Sequence, residues 1–279
     1  MAVRPLKDGV IADFKATRLL LKNLITKVSS RYNAGRPKVV VGVPSGITEV
    51  EERAVEEAVM HAGAKEVYLI EEPMAAAIGA GIDVAAPSGS IIVDIGGGTT
   101  EVAVISLGGI VNSSSLRIAG DELNLDIIDY VKKTQNILIG ETTAEQIKKE
   151  IGCALPLMTE KTIEIIGRDL GTGLPGTCVL TSTQIQEAMK NSINEIVEVI
   201  KLSLEKTPPE LASDIMEKGI YLAGGGALIE NLDKLISMRT GMPVHVAESP
   251  LECVVNGTGK TIEELGKLKN VLMSARRKR

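Results

Sequence analysis

The chain has 279 residues, 44% hydrophobic and 24% charged, a composition that excludes a disordered chain. Its 31 basic against 36 acidic residues leave a net charge of −5, which speaks against a general electrostatic grip on nucleic acid. Only five aromatics occur (Phe14, Tyr32, Tyr68, Tyr130 and Tyr221), with no Trp, which weakens any reading built on base-stacking platforms and makes the core aliphatic.

Leu19, Leu20, Leu21, Leu24, Ile25 and Val28 recur at helical spacing and predict a helix over about 13–29. KVVVGVP (38–44) reads as a buried parallel strand ended by Pro44. Thr48, with Glu51 three residues later, is a capping-box signature for a helix to about 62. EVYLIEEP (66–73) predicts a second strand, and MAAAIGAG (74–81) a small-residue helix closed by glycine. This β-α-β-α order predicts parallel strands with covering helices.

The stretch 89–120 holds three β-branched runs separated by GGGT, LGG and a serine cluster, a β-meander with a glycine-rich first turn. Helices follow over about 121–135 and 143–152. TIEIIG (162–167) and TCVLTS (177–182) then read as paired strands of a small subdomain. Ile185, Met189, Ile193, Ile196, Val197 and Ile200 define a long amphipathic helix stopped by Pro208 and Pro209. GIYLAGGGALI (219–229) is a strand running into a glycine turn and a helix start.

Chemistry concentrates at a few of these junctions. In VDIGGGTT (93–100), Asp94 at a strand end precedes Gly96, Gly97, Gly98 and Thr99. Such glycines either make a plain tight hairpin or turn backbone N–H groups toward one point as a nest for phosphate oxygens. Asp94 is then placed to hold the water shell of Mg²⁺, a hard cation that keeps its waters. AGGGAL (223–228) is a second glycine turn, equally open to a ligand-free β–α crossing or a phosphate-facing one. Neither matches a Walker A loop or a dinucleotide fingerprint. Of Glu71 and Glu72 only one can face a cleft. There it can orient an attacking water, or merely serve as a helix-start acid. EQIKKEIG (145–152) reads as a solvated face of i,i+4 pairs from which Lys148 and Glu150 can also reach a ribose or base.

Cys153, Cys178 and Cys253 lack any metal-ligand or disulfide pattern, and His61 and His245 have no partners, so a reducing cytoplasm is expected. No apolar run reaches a membrane span, and the first ten residues lack a secretory h-region. The basic end SARRKR reads as a solvated terminus or a weak contact with anionic lipid.

Taken together, the motifs closely resemble those of bacterial actin homologues of the MreB type. RPLKDGVIADF, VVVGVPSGITEVEERAV, LIEEPMAAAIGAG, VDIGGGTTEVAVISLGGIV, RIAGDE, LEKTPPELASDI, LAGGGALIENLDKLI and GTGK match in the family's order, over nearly the whole chain. The resemblance implies an α/β, actin-like (ribonuclease H-like) two-lobed ATPase fold with ATP or ADP and Mg²⁺ in the cleft. Residues 1–81 and 250–279 would form part of the first lobe, 82–121 and 185–249 the core of the second, and 122–184 its small subdomain. Asp94 would address Mg²⁺ through water, and Gly96, Gly97, Gly98 and Thr99 would hold phosphate. Glu72, helped by Thr99, would orient the attacking water. Gly224, Gly225, Gly226 and Ala227 would line the adenosine pocket, and Ile147, Lys148, Lys149 and Glu150 would supply ribose and base contacts.

Members of the family polymerise on the inner membrane face and guide wall synthesis in rod-shaped cells. The implied partners are other copies of the chain, the wall-elongation machinery and, weakly, anionic lipid. The implied location is cytoplasmic and peripheral to the membrane. The family opens with a D-x-G-T strand that has no counterpart here. The first lobe is accordingly expected to be incomplete at its N-terminal side, with weakened ATP binding and slow or absent turnover. A non-hydrolysing filament partner or scaffold is the alternative. In the loop RYNAGRPK (31–38), Tyr32 is the only candidate for lipid insertion.

Overall fold

A computed structural model describes residues 5–7, 10–28 and 36–273. Tyr32 and the tail SARRKR, the two candidate lipid contacts, lie outside the described residues. A short hairpin of β1 (Leu6–Lys7) and β2 (Val10–Ile11) leads into α1 (Phe14–Val28). Next come β3 (Lys38–Val43), α2 (Glu49–Ala62), β4 (Glu66–Glu71) and α3 (Glu72–Gly79), with β3 and β4 parallel as the β-α-β-α order requires. The capping box of α2 is formed: Thr48 Oγ1 accepts from the Glu51 N–H at 3.3 Å, and Glu51 Oε2 accepts from the Thr48 N–H at 2.8 Å. The meander follows as β5 (Ser90–Ile95), β6 (Thr100–Ser106) and β7 (Gly109–Leu116). Beyond it run α4 (Gly120–Gln135), β8 (Ile137–Leu138), α5 (Glu141–Ile151), β9 (Thr162–Asp169), β10 (Pro175–Thr181) and α6 (Ser182–Glu205). The chain continues through α7 (Pro209–Lys218), β11 (Ile220–Ala223), α8 (Leu232–Thr240), β12 (Val244–Val246) and α9 (Cys253–Glu263).

The main sheet has the order β12-β11-β5-β6-β7, with β11 parallel to both β5 and β12 and the meander antiparallel. Because β5 and β11 run in the same direction, Ala223 pairs with Asp94 and the two glycine turns leave the sheet from one edge. Ligands of open α/β sheets bind beyond the carboxyl ends of such strands. Alternation along β5 and β6 divides their residues between two cores. Ile91, Val93 and Ile95 with Val102 and Val104 join the core that includes Leu123, Ile147 and Ile196 of α4, α5 and α6. Ile92, Ala103 and Ile105 turn the other way, onto Met74 and Ile78 of α3 and Cys253 of α9. Burial on both faces is why these strands read as continuous apolar runs.

α3 and α9 cross in unusually close contact. A Cβ on Gly257 would lie 1.8 Å from the Ala75 carbonyl oxygen, and one on Gly79 would lie 1.8 Å from that of Cys253. Only residues without a side chain allow the backbones so near.

Several details depart from the sequence expectation. Pro209 opens α7 rather than only ending α6, since a first-turn residue needs no N–H donor. The second strand stops at Glu71, and Glu72 already belongs to α3, with Pro73 in its first turn. The GGA turn forms a 3₁₀ segment, Gly225–Leu228, and α8 starts only at Leu232. Glycines are poor helix formers, and this tight turn lets Gly226 rest on Ile95, where a Cβ would sit 2.2 Å from Ile95 Cγ2. The small sheet, order β10-β9-β8, pairs β9 with β10 as expected and adds the short β8.

Candidate functional site

A cavity of about 920 Å³ opens at the carboxyl edge of β5 and β11, bordered by both glycine turns, α3, α4, α5 and the start of α9. A volume of this size suits a nucleotide-sized ligand.

The first turn is strapped to α4. Gly96 N–H donates to the Thr99 carbonyl at 2.9 Å, Gly120 N–H to the Gly96 carbonyl at 3.1 Å, and Asp121 N–H to the Gly97 carbonyl at 2.7 Å. Gly120 makes this a tight fit, since a Cβ would lie 3.2 Å from both the Gly96 oxygen and Lys148 Nζ. The second turn docks on the end of β5. Gly224 has φ +80°, and its Cβ would lie 2.2 Å from the Ile95 oxygen and 2.5 Å from Asp94 Oδ1. Positive φ and close approach both demand glycine.

Three carboxylates gather where the turns meet. Asp94 ends β5 and pairs across the ladder with Glu101 of β6, so their side chains share the sheet face covered by α3. Glu72, the first residue of α3, lies beside them. Burial pushes the Asp94 carboxyl up to about 6. Glu72 is pushed up to about 7 by burial, with smaller contributions from the charges of Asp94 and Glu101. Glu101 is 1% exposed. Burial raises its pKa as well, against hydrogen bonds from Ser115 Oγ (2.6 Å) and the Ser45 backbone.

On the opposite wall Lys148 Nζ donates to the Gly120 carbonyl at 2.7 Å and pairs with Glu145 at 2.8 Å. Glu145 also receives Lys149 at 2.9 Å and Asn124 Nδ2 at 3.0 Å. Burial opposes its ionisation, yet these bonds outweigh burial and hold its pKa down to about 2. The remaining wall is apolar: Leu228, Ile229, Pro250 and Leu251 border the cavity, and Leu251 rests on Gly225. Such a surface suits a planar heterocycle.

Of the residues singled out in the sequence, Glu72, Asp94, Gly96, Gly97, Lys148, Lys149, Gly224, Gly225 and Gly226 border this one cavity. Gly98 and Thr99 complete the first turn but lie outside the lining. Ile147 is fully buried in the core, Ala227 lies buried behind the second turn, and Glu150 faces solvent, accepting from Gln146. Asn124, Glu145, Leu228 and Leu251 went unrecognised. For Glu145 a signal exists: it stands three and four residues before the two lysines it binds. The apolar pair carries none, since its members come from separate turns.

The family model described as MreB/Mbl protein matches residues 1–270. The cell shape-determining protein MreB of Escherichia coli (strain K12) is 54% identical over 263 residues, covering 94% of this chain and 76% of that protein. The crystal structure of MreB5 of Spiroplasma citri bound to ADP superposes with a TM-score of 0.90 at 41% identity, covering 96% of this chain and 80% of that one. Its AMPPNP complex gives the same TM-score. At 20% identity the fold extends to the MamK double helical filament, with a TM-score of 0.78 over 93% of this chain and 80% of that one.

Proposed function

The chain belongs to the MreB/Mbl family of cell shape-determining proteins and has their actin-like α/β fold, and on that premise we propose that it binds ATP and ADP between its two glycine turns and assembles into filaments. The observation that carries this reading is the convergence of Gly96–Gly97, Gly224–Gly226, Glu72 and Asp94 at one sheet edge. The glycine turns take the phosphates. The wall of Leu228 and Leu251 takes the base, and Lys148 with Glu145 takes the ribose side. The nucleotides seen with MreB5 of S. citri support the ligand class.

The residues fit a hydrated magnesium ion. Among the described residues no group of three His, Cys, Asp or Glu side chains could hold a metal ion directly. Asp94 nevertheless faces the cavity in a buried, uncompensated position beside the turns. Bound with nucleotide, the ion would neutralise phosphate charge while Asp94 holds one side of its water shell. Glu72 accepts a hydrogen bond from the attacking water and orients it; with a pKa near 7 it can also receive a proton at neutral pH. Thr99 helps from the turn.

In this reading residues 1–81 and 250–279 form part of the first lobe, 82–121 and 185–249 the core of the second, and 122–184 its small subdomain. The MamK filament shares the fold and supports self-assembly as the output of the nucleotide cycle. The proposed setting is the cytoplasmic face of the membrane, where filaments direct wall synthesis with the elongation machinery. No helix among the described residues is long and apolar enough to cross a membrane, and the membrane contact proposed is a peripheral one. Sedimentation with and without Mg-ATP, run beside phosphate release, tests the proposal. Nucleotide-dependent pelleting with turnover is the expected result; pelleting indifferent to nucleotide would overturn it.

A further inference from the structure

A chain of bonds joins α5 to the first glycine turn through a single residue of α4. The side chain of Lys148 in α5 is only 10% exposed, and a lysine is seldom so buried without partners. Its Nζ donates to the Gly120 carbonyl at 2.7 Å and pairs with Glu145 Oε2 at 2.8 Å. Glu145 is fixed in turn by Asn124 Nδ2 at 3.0 Å and, on its other oxygen, by Lys149 at 2.9 Å. Gly120 is therefore held from both sides: Lys148 binds its carbonyl, and its own N–H donates to the Gly96 carbonyl at 3.1 Å. The next N–H, that of Asp121, donates to the Gly97 carbonyl at 2.7 Å. In a trans peptide the carbonyl and the N–H point in opposite directions. Fixing the Gly96 and Gly97 carbonyls on α4 thus also fixes where the Gly97 and Gly98 N–H groups point.

We propose that Lys148 is a positioning residue for the first glycine turn: acting through Gly120, it sets the backbone N–H groups that receive phosphate, while its ammonium stays on the protein and makes no bond to the nucleoside. The inference rests on the nucleotide reading above. Lys148 borders the cavity, yet its Nζ is committed to two protein oxygens. The three parts are packed without slack. A Cβ on Gly120 would lie 3.2 Å from Lys148 Nζ, 3.2 Å from the Gly96 oxygen and 3.6 Å from Gly97 Cα. Close-packed groups pass a displacement on to their neighbours, so releasing the ammonium lets the start of α4 and the turn relax together. Donors already in place bind a ligand more tightly than donors that must be ordered on binding. The contribution of Lys148 therefore scales with the phosphates of the ligand. A lysine bonded to the sugar would act on the nucleoside alone.

The test is Lys148→Met, which keeps the aliphatic stem and removes the ammonium, with ADP and adenosine each titrated by calorimetry in magnesium buffer. ADP binding is expected to weaken about tenfold, as charge-assisted hydrogen bonds that set the turn are lost, while adenosine binding stays within about twofold of wild type. Glu145→Gln, at a more exposed position, keeps an acceptor for Lys148 but loses the charge that fixes it. It is expected to show the same asymmetry at about threefold, and it carries the test if Lys148→Met does not fold. Equal losses for ADP and adenosine would place the ammonium on the nucleoside and overturn the positioning role. Unchanged ADP affinity in a folded variant overturns it as well. A wild-type chain that binds neither ligand overturns the nucleotide reading itself, a result distinct from both.

Discussion

Asp94 and Glu101 stand directly opposite each other on β5 and β6, so one face of the sheet carries two buried carboxylates with a third, Glu72, on the helix above. No cation among the described residues is paired with Asp94 or Glu72. This carboxylate cluster is therefore electrostatically strained, and a ligand that brings positive charge relieves it.

A pH dependence follows with a definite sign. Glu72 and Asp94 have folded-state pKa values of about 7 and about 6, above the 4.5 and 3.8 of the free groups. Between about pH 4 and 7 the unfolded chain loses these protons first, so the unliganded protein loses stability as pH rises through that window and levels off above it. Each group contributes on the order of 3 kcal/mol. Urea midpoints measured from pH 5 to 8 without nucleotide should fall, and Asp94→Asn should flatten the decline. A midpoint that rises over this range contradicts the assignment.

Glu72→Gln removes charge from the same cluster. The expected outcome is a melting temperature a few degrees higher at pH 8 without nucleotide, together with loss of phosphate release. Affinity for Mg-ATP should remain within about threefold of wild type, because a water-orienting residue acts mainly on turnover. Phosphate release by the variant at the wild-type rate would remove Glu72 from the mechanism.

Lys148 holds the Gly120 carbonyl and Glu145 together at the wall of the cavity. Lys148→Met keeps the aliphatic stem and deletes both bonds. Fluorescent-nucleotide anisotropy should show binding about tenfold weaker, equivalent to ~1.4 kcal/mol, with the phosphate-release rate at saturating ATP unchanged. A drop in the saturated rate with intact affinity is the opposite pattern and would move Lys148 from binding to chemistry.

Two glycines of α9 differ sharply in what surrounds them. Gly257 meets the Ala75 backbone, whereas Gly259 has open space where a Cβ would stand. Gly257→Ala is expected to destabilise by about 2–4 kcal/mol through forced separation of α9 from α3. Gly259→Ala should be neutral or stabilise by up to about 1 kcal/mol from helix propensity. Guanidinium midpoints for the pair check this, and equal effects would refute the close crossing.

Local signals in the sequence were complete wherever the structure is locally determined. The Thr48–Glu51 capping box, the 3.6-residue period of α6 and the glycine breaks of the meander each depend on residues a few positions apart, and each formed as read. The glycine turns were visible as turns, but their meeting was not, since it follows from the parallel pairing of β11 with β5 some 130 residues earlier. Glu101 shows the same boundary. In the sequence it is one acid within TTEVAV; only the Asp94–Glu101 register and α3 above it turn it into part of a carboxylate cluster. Ile147 marks the reverse case, where a residue placed at the site by resemblance is held in the core by the apolar face of α5.

The crossing of α3 and α9 has a consequence for biosynthesis. α9 begins at Cys253, and its Lys260 Nζ donates to the Ile78 carbonyl at 3.2 Å, across a separation of 182 positions. While the chain is still emerging from the ribosome, α3 has made its strand contacts but not its helical neighbour. Its Ala75 and Gly79 surface, which accepts no side chain, stays uncovered until α9 arrives. Contacts so distant in sequence form late and slowly. A nascent or prematurely terminated chain therefore carries the glycine turns and Glu72 on a helix whose Ala75–Gly79 surface is still uncovered.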